Sequence, residues 1–477
     1  MALSKIVDIN KDKCTNCHQC ISVCPCKFAN DGTEDEVRVN HDLCIGCGQC
    51  VKACTHNARI IVDDFDDAFN ALKSKEKLIA FVAPAIAANF PGKYLKINAW
   101  LRSLGVDAIF DVSFGAELTV KSYIEHIKNT SVKTIISQPC PAIVTYLQLY
   151  KPELLKYLAP ADSPMLHTVK MVKEFHPEYK DHKCMIISPC TAKRREFDET
   201  GLVDYNVTFS KINDFLKEQN INLDNFKETG FNNDPAERAV LFSSPGGLLE
   251  TAEREIPGIR RKTRKIEGPE VVYKYFENLE ESINNGTAPL IVDCLNCHAG
   301  CNGGTGTDVA DLNIDELEYR VNTRCDKNID RYKNENKTLS TIINKYWKPE
   351  LYSRKYKNLN YSYLESIKEP NEAELDATLK QMHKFNDEDL INCASCGYNS
   401  CTEMAKAIFN NLNKKENCFE FNQKEVEEQN KELDKKVLEN NQLIENQNTE
   451  ITKQKTHVIE ESEQLLKFLG EIRQLIK

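Results

Sequence analysis

The sequence predicts a multidomain protein that combines α+β and α/β architecture. Three observations support this prediction. A cysteine-rich segment opens the chain, Ile- and Val-rich runs that end at prolines follow from about residue 77, and a proline-free tail carries an apolar repeat every seven residues. The 477 residues allow about three domains of roughly 150 residues each.

Composition limits the compartment and the partners. The chain has 20 cysteines and does not open on a charged-then-apolar secretion signal, so we expect reduced, metal-binding thiolates in the cytoplasm. The longest apolar run, residues 78–90, contains Pro84 and is shorter than the ~20 residues that span a bilayer. A net charge of -10 disfavours nucleic acid. We therefore expect neither a membrane nor a nucleic-acid partner.

Two cysteine runs lie in residues 1–65, and each has the spacing Cys-x2-Cys-x2-Cys-x3-Cys. This segment resembles the two-cluster ferredoxins, in which the fourth cysteine of each run binds the other cluster. The resemblance implies two 4Fe-4S clusters, one on Cys14, Cys17, Cys20 and Cys54, the other on Cys44, Cys47, Cys50 and Cys24. A pair of structural zinc sites is the alternative.

The middle of the chain contains apolar runs that are typical of buried parallel strands linked by helices. These runs are residues 78–83, 134–137, 185–188, 239–244 and 290–293. Ligands of open α/β sheets bind at the carboxyl ends of the strands, where the loops after these runs would lie. Four cysteines that are distant in sequence are thereby predicted to converge: Cys140, Cys190, Cys297 and Cys301.

Three loops give this region a specific resemblance. Ser137-Gln138-Pro139-Cys140-Pro141, Pro189-Cys190-x2-Lys193-x2-Glu196 and Cys297-x2-Gly300-Cys301-x2-Gly303-Gly304 match, in order, the three signature loops of the [FeFe]-hydrogenases. The similarity runs from about residue 77 to 350, and we place the domain at 76–375. It implies an α/β catalytic domain that holds an H-cluster, a 4Fe-4S cubane bridged to a diiron unit with CO, cyanide and dithiolate ligands.

The resemblance also implies roles for individual residues. Cys140, Cys190 and Cys297 would bind the cubane, and Cys301 would bind it and bridge to the diiron unit. The Lys193 ammonium would donate a hydrogen bond to a cyanide ligand. The remaining predicted pocket residues are Pro84, Ala85 and Gly303.

Several positions depart from the pattern of rapid hydrogenases. Pro139 stands where those enzymes have a proton-relaying cysteine, and it has no exchangeable side-chain proton. Ser188 replaces a methionine, and Leu295 and Asn296 replace a methionine and an alanine. The resemblance implies that Ser188 lies near the diiron unit, where polar groups change the hydrogen bonding to its ligands and hence its redox potential. Glu125 and His126 are either proton carriers or an ordinary solvated helix face. These departures resemble the sensory branch of the family and predict slow H2 chemistry.

A third cysteine group occupies residues 385–420. It resembles a small 4Fe-4S module of redox proteins, and its ligands would be Cys393, Cys396, Cys401 and Cys418. Structural zinc is again the alternative. With it, the predicted cofactors are three accessory 4Fe-4S clusters and the H-cluster.

Residues 421–477 predict a coiled-coil helix. Counted from Asn430, every seventh residue is apolar: Val437, Ile444, Ile451, Val458, Leu465 and Ile472. The β-branched residues among them favour a parallel coiled coil of two helices, so we expect a homodimer. A signal-carrying helix and a plain spacer are both open, and an output domain is expected to follow in the signalling case.

Two functions remain open from sequence alone. The first is an H2-sensing hydrogenase that handles H2 and protons, exchanges electrons with a redox partner such as ferredoxin and has a downstream signalling partner. The second is a non-catalytic electron carrier or cluster-assembly protein without the diiron unit. Cys26, Cys184, Cys294 and Cys325 belong to no motif and are predicted to be packing thiols, with a substitute proton donor as the alternative for Cys294.

Overall fold

The computed structural model describes residues 3–309, 312–335 and 338–476. Its N-terminal segment is a small α+β unit in which two antiparallel strand pairs flank two short helices. Each helix carries the third cysteine of one run, Cys20 or Cys50. The elements are β1 (Val7–Ile9), α1 (Gln19–Ser22), β2 (Asn30–Asp31), β3 (Arg38–Val39), α2 (Gln49–Ala53) and β4 (Arg59–Ile61).

The middle region is α/β, with helices between parallel strands. Its elements are α3 (Phe65–Lys73), β5 (Leu78–Val82), α4 (Ile86–Asn89), α5 (Tyr94–Ser103), β6 (Ala108–Asp111), α6 (Val112–Asn129), β7 (Ile135–Ile136), α7 (Pro141–Tyr150), α8 (Pro164–Phe175), β8 (Lys183–Ser188), α9 (Lys193–Thr200), β9 (Tyr205–Thr208), α10 (Phe209–Glu218), α11 (Gly247–Glu255), β10 (Thr263–Glu267), α12 (Pro269–Asn284), β11 (Ile291–Leu295) and α13 (Ile314–Glu335).

The strands form two parallel sheets, as predicted for buried Ile- and Val-rich runs. One has the order β6-β5-β8-β9 and the other β10-β11-β7. The interior strands β5 and β11 are buried along their whole length. Strands β6, β9 and β10 were not predicted. Strands β9 and β10 mix polar and apolar side chains, and β6 contains only three consecutive apolar residues.

One predicted strand is wrong. Residues 239–244 do not join a sheet, since Arg238–Ser243 is a 3-10 helix. The Oε1 atom of buried Glu117 accepts hydrogen bonds from the backbone N–H groups of Glu237 (2.9 Å) and Ala239 (3.2 Å). A side-chain acceptor thus satisfies donors that a strand would give to its neighbour.

The C-terminal third is helical and closes against the N-terminal unit. Its elements are α14 (Leu339–Tyr346), α15 (Pro349–Tyr352), α16 (Tyr361–Ser366), α17 (Glu372–Gln381), α18 (Cys401–Phe409) and α19 (Phe419–Leu475). The backbone N–H of Gly32 donates to the carbonyl of Leu412 (2.8 Å), and Lys27 Nζ donates to the carbonyl of Gly397 (2.8 Å). The two cysteine-rich units therefore share one interface and one buried core.

Helix α19 is a single helix of 57 residues, which begins two residues before the predicted start at Phe421. Phe421 is buried, but the apolar residues of the seven-residue repeat are exposed, with Ile451 47% and Ile444 53% accessible. No helix among the described residues is both long and apolar enough to cross a bilayer.

Candidate metal-cluster site

The loops after four strands meet around one cavity, which we call the cluster cavity. About 770 Å³ of space free of protein atoms lies in this cavity and in its opening to solvent. All four cysteines that the sequence predicts to converge lie on its wall, as do Pro84, Ala85, Pro139 and Lys193. The rest of the wall is mostly apolar, with Met165, Phe242 and Leu295 among its side chains. Four thiols around a space this large suit a group bigger than a single ion.

Burial makes these thiols hard to ionise. Desolvation raises the pKa of Cys190 to about 12, and repulsion from Cys140 and Cys297 adds to it. The pKa of Cys301 is raised well above its ordinary value for the same reasons. Lys193 opposes both shifts as a nearby positive charge. Since metals bind the thiolate, loading this cavity must release protons.

Lys193 is a buried cation at the start of α9. Its side chain is 6% exposed, and Nζ lies 2.6 Å from Glu196 Oε2. The second oxygen of Glu196 pairs with Arg354 Nη1 at 3.2 Å. Despite desolvation, these two cations hold the pKa of Glu196 below its ordinary value. The pairing fixes the ammonium beside Cys190 and Cys301.

Close packing between loops depends on two glycines. A Cβ at Gly300 would lie 2.5 Å from the carbonyl oxygen of Ser243, and one at Gly304 would lie 2.2 Å from that of Pro189. Gly300 also has a positive φ of 56°. These glycines bring the third loop against its neighbouring loops, which closes the wall of the cavity.

Two predicted site residues lie behind the wall. Ser188 is fully buried, and its hydroxyl donates to Asn206 Oδ1 (3.0 Å) and accepts from the N–H of Cys190 (3.2 Å). It therefore positions the second loop from behind. The carbonyl of Gly303 accepts from Lys52 Nζ (2.6 Å), and this brings a cation of the N-terminal unit near Cys297.

Polar groups reach the cavity at two other positions. Asn296 accepts from the Tyr273 hydroxyl (2.6 Å) and its amide donates to Cys297 Sγ (3.7 Å). The Ser243 hydroxyl is buried, lies on a residue of the wall and has no hydrogen-bond partner among the described residues. Sequence reasoning missed Ser243, because it lies in the segment predicted to be a strand.

The predicted proton carriers do not lie on the cavity wall. Glu125 pairs with Lys121 (2.9 Å) one helical turn away, and this hydrogen bond lowers the pKa of Glu125. His126 has its pKa lowered by burial. Cys294 Sγ lies 3.6 Å from Ser137 Oγ, behind the wall. Glu125 thus fits the solvated helix face, and Cys294 fits a packing thiol.

The N-terminal thiols form two groups, and Cys24 of the first run lies with the thiols of the second run, near Cys44 and Cys47. Desolvation by burial, with a smaller contribution from the charge of Cys44, raises the pKa of Cys24 to about 11. Cys20 faces Cys14 and Cys17. Cys54 is near Arg59, whose backbone N–H is among those that lower the Cys54 pKa against its desolvation. Cys47 also lies on the wall of the cluster cavity.

The C-terminal thiols surround a smaller cavity. Its wall includes all four predicted ligands, Cys393, Cys396, Cys401 and Cys418. Cys393 is exposed and the other three are buried. Cys418 is also the residue that immediately precedes α19. Cys396 and Cys418 belong to the same buried core as Cys20 of the N-terminal unit.

Comparisons with known proteins match two regions of the chain to protein families. Residues 76–305 match the family "Iron only hydrogenase large subunit, C-terminal domain", and residues 6–55 match "4Fe-4S dicluster domain". Iron hydrogenase 1 of Clostridium pasteurianum is 27% identical over 441 residues, which cover 76% of each chain.

Two further similarities concern part of the chain. The cytosolic Fe-S cluster assembly factor NAR1 of Encephalitozoon cuniculi is 25% identical over 260 residues, 48% of this chain and 67% of that protein. A solved structure titled "Stepwise [FeFe]-hydrogenase H-cluster assembly revealed in the structure of HydA(deltaEFG)" is 20% identical, with a TM-score of 0.49, and covers 62% of this chain and 99% of its own. Residues 76–305 therefore belong to the [FeFe]-hydrogenase family, and residues 6–55 add a 4Fe-4S dicluster domain.

Proposed function

We propose that this protein is a slow [FeFe]-hydrogenase that oxidises H2 and reduces protons reversibly and serves to sense H2 or redox state. The main support is the cluster cavity, where three separate loops bring four thiols and one buried ammonium to the same wall. The Lys193 ammonium has three N–H donors and pairs with the carboxylate of Glu196, so a donor remains for a cyanide ligand, which a bare cubane would lack.

The donor set fits an H-cluster. Cys140, Cys190, Cys297 and Cys301 would hold the iron, and Lys193 would donate to a cyanide ligand. When bound, the diiron unit supplies the metal chemistry of H2 cleavage and formation. The chain excludes water with its apolar wall, and the free Ser243 hydroxyl is available to donate to the bound group.

Proton delivery is the slow element of the proposed reaction. Pro139 lies on the cavity wall where a relay acid is needed, and it cannot carry a proton. Cys294 is an unassigned thiol three residues before the proposed ligand Cys297. Its sulfur contacts Ser137, however, and it does not line the cavity. Such a site suits a sensor better than a rapid catalyst.

Electrons would leave through the two cysteine-rich units. Cys47 places the second N-terminal thiol group directly at the cluster cavity. The first group shares a buried core with the C-terminal thiols. We propose 4Fe-4S clusters at all three sites, with exposed Cys17 and Cys393 marking where a redox partner such as ferredoxin exchanges electrons.

The sensory output is proposed to run through α19. Cys418, a proposed cluster ligand, immediately precedes the helix, and the apolar repeat beyond it is exposed. We propose that two copies pair through this repeat and present the dimer to a downstream signalling partner.

Iron counting combined with infrared spectroscopy tests the proposal. Protein with every site filled should hold about 18 iron atoms, and protein made without the diiron-assembly machinery about 16. Supplying the diiron unit should produce CO and cyanide bands together with H2 oxidation and evolution activity. Loaded protein with no such bands would contradict the proposal.

A second candidate is a non-catalytic iron-sulfur protein of electron transfer or cluster assembly. The match to NAR1 favours it, because it covers about half of the chain. This candidate predicts about 16 iron atoms and no infrared bands even after the diiron unit is supplied. One experiment therefore separates the two functions.

A further inference from the structure

Arg59 is a buried cation among the N-terminal thiols. It is 5% exposed and stands first in β4. Its Nη2 atom donates to Cys20 Sγ (3.2 Å) and to Asn30 Oδ1 (3.4 Å). Its Nη1 atom is buried with no hydrogen-bond partner among the described residues. Within the part of the chain that the structure describes, no carboxylate pairs with this guanidinium, whereas Arg38 and Arg254 each pair with two or more.

The charges that face Arg59 come from thiols of both N-terminal groups. Cys20 and Cys14 belong to the first group and Cys50 to the second; desolvation lowers the pKa of the guanidinium, and all three cysteines, as thiolates, raise it above its ordinary value. A buried cation without a carboxylate is costly unless an anionic partner is present. Thiolate-bound clusters are anions, and their sulfur atoms accept hydrogen bonds.

We propose that Arg59 is a redox-tuning residue, which donates hydrogen bonds to the sulfur atoms of the first accessory cluster and raises the reduction potential of both N-terminal clusters. Reduction adds one electron, from an external donor, to a cluster that is already anionic. A fixed cation nearby stabilises the reduced form more than the oxidised form, so the potential rises. The effect is largest for the cluster on Cys20, which Arg59 touches directly.

This inference rests on the proposed ligands of the N-terminal clusters, and it does not depend on the diiron unit. Arg59 was not predicted from the sequence, because it belongs to no cysteine motif. The one signal that the sequence offers is a charged residue between two apolar residues, Ala58 and Ile60.

Redox titration of the full-length protein, followed by electron paramagnetic resonance of the reduced clusters, tests the inference. Arg59→Met removes the positive charge and the N–H donors of the guanidinium, and it keeps an apolar side chain. We expect at least a tenfold smaller ratio of reduced to oxidised first cluster at a fixed potential, which corresponds to about 59 mV for one electron. The second cluster should shift in the same direction by less. Arg59→Lys keeps the charge without the planar fork and should restore part of the potential.

Arg38→Met is the matched control, since Arg38 belongs to the same unit, is partly exposed and pairs with Asp31. It should leave both potentials unchanged. Equal potentials in the wild type and in Arg59→Met with full iron content would overturn the inference. If Arg59→Met binds less iron than the wild type, Arg59→Gln takes its place, because it keeps an amide donor but carries no charge. Equal potentials in the wild type and in Arg59→Gln would then overturn the inference. If the wild type shows no resonance signals from the N-terminal clusters, the ligand assignment itself is refuted. The diiron unit is monitored separately by its infrared bands.

Discussion

The cluster cavity and helix α19 are opposite extremes of this molecule. In the cavity, Lys193 and Asn296 are held by hydrogen bonds within the chain, and the apolar wall is packed from behind. Along α19, large apolar residues such as Leu465 (61% exposed) and Ile444 are accessible to solvent. The cavity is thus specified by one chain, whereas the helix needs a second surface to bury its repeat. The two regions should therefore fail independently.

The largest expected effect tests the cavity as a unit. Cys140→Ala removes one of four thiols, and we expect complete loss of the infrared bands, because the remaining three thiols leave an iron site of the cubane open. Cys294→Ala is the control, since Cys294 is buried in the same region but does not line the cavity. Bands that persist in Cys140→Ala would show that the proposed ligand set is wrong.

The next effect concerns proton delivery. Pro139→Cys adds an acid at the wall, and we expect faster H2 evolution by part of the 10²–10⁴-fold that general acid catalysis typically contributes. Pro139→Ala removes the ring without adding an acid and should stay slow. Rates are to be normalised to the infrared-quantified site. A rate unchanged in assembled Pro139→Cys would place the slow step elsewhere.

A buried carboxyl group in β11, the strand that leads to the third loop, should make the stability of the fold depend on pH. Asp293 in β11 is 3% exposed, accepts from the N–H of Leu249 (3.2 Å), and burial raises its pKa to about 7. The unfolded state has the lower pKa and releases the proton first, so folded-state stability falls as pH rises through the window from about 4 to about 7 and remains reduced above it.

Asp293→Asn should remove this dependence. A pKa difference of one between the folded and unfolded states corresponds to about 1.4 kcal/mol of unfolding free energy. The mutant should therefore unfold at a higher temperature than the wild type at about pH 8.5 and differ less near pH 5. Thermal melts of the same preparation at both pH values measure this. Asp67→Asn, on an exposed residue of α3, is the control. A constant difference between mutant and wild type across pH would contradict the assigned cause.

The smallest expected effect concerns helix α19, whose deletion should change the oligomeric state and leave the cluster sites intact. Deleting residues 427–477 leaves buried Phe421 and the ion pairs of Lys424 and Glu425 in place and should shift the mass measured by light scattering from dimer toward monomer, a factor of about two. Infrared bands and iron content should be unchanged, since residues 427–476 are exposed. An unchanged mass would show that dimerisation does not depend on this repeat.

Much of the site was predictable because its chemistry lies in short motifs. Cysteine spacing and prolines at strand ends placed Cys140, Cys190, Cys297 and Cys301 at one cavity, and the structure brings them there. The heptad repeat predicted a long helix, which is confirmed, although its pairing stays a prediction. Parallel strands followed from apolar runs.

What the sequence did not reveal depends on contacts between distant residues. The 3-10 helix at Arg238–Ser243 has the pattern of a strand until Glu117, about 120 positions earlier, supplies its acceptor. Ser188 was predicted to lie beside the diiron unit, but Asn206 holds its hydroxyl behind the wall. Arg59 and Ser243 carry no motif at all. Only the fold reveals which side chain each one meets.

Cys418 joins a proposed cluster site to a very long rigid arm. At about 1.5 Å per residue, the 57 residues of α19 extend about 85 Å from that cysteine. A tilt of about 5° at Cys418 would therefore displace the far end by roughly 7 Å, about the width of a side chain. In the proposed sensory function the helix would work as a lever, so a change in sulfur position too small to disturb the packed core would become a movement of the far end that another protein could detect.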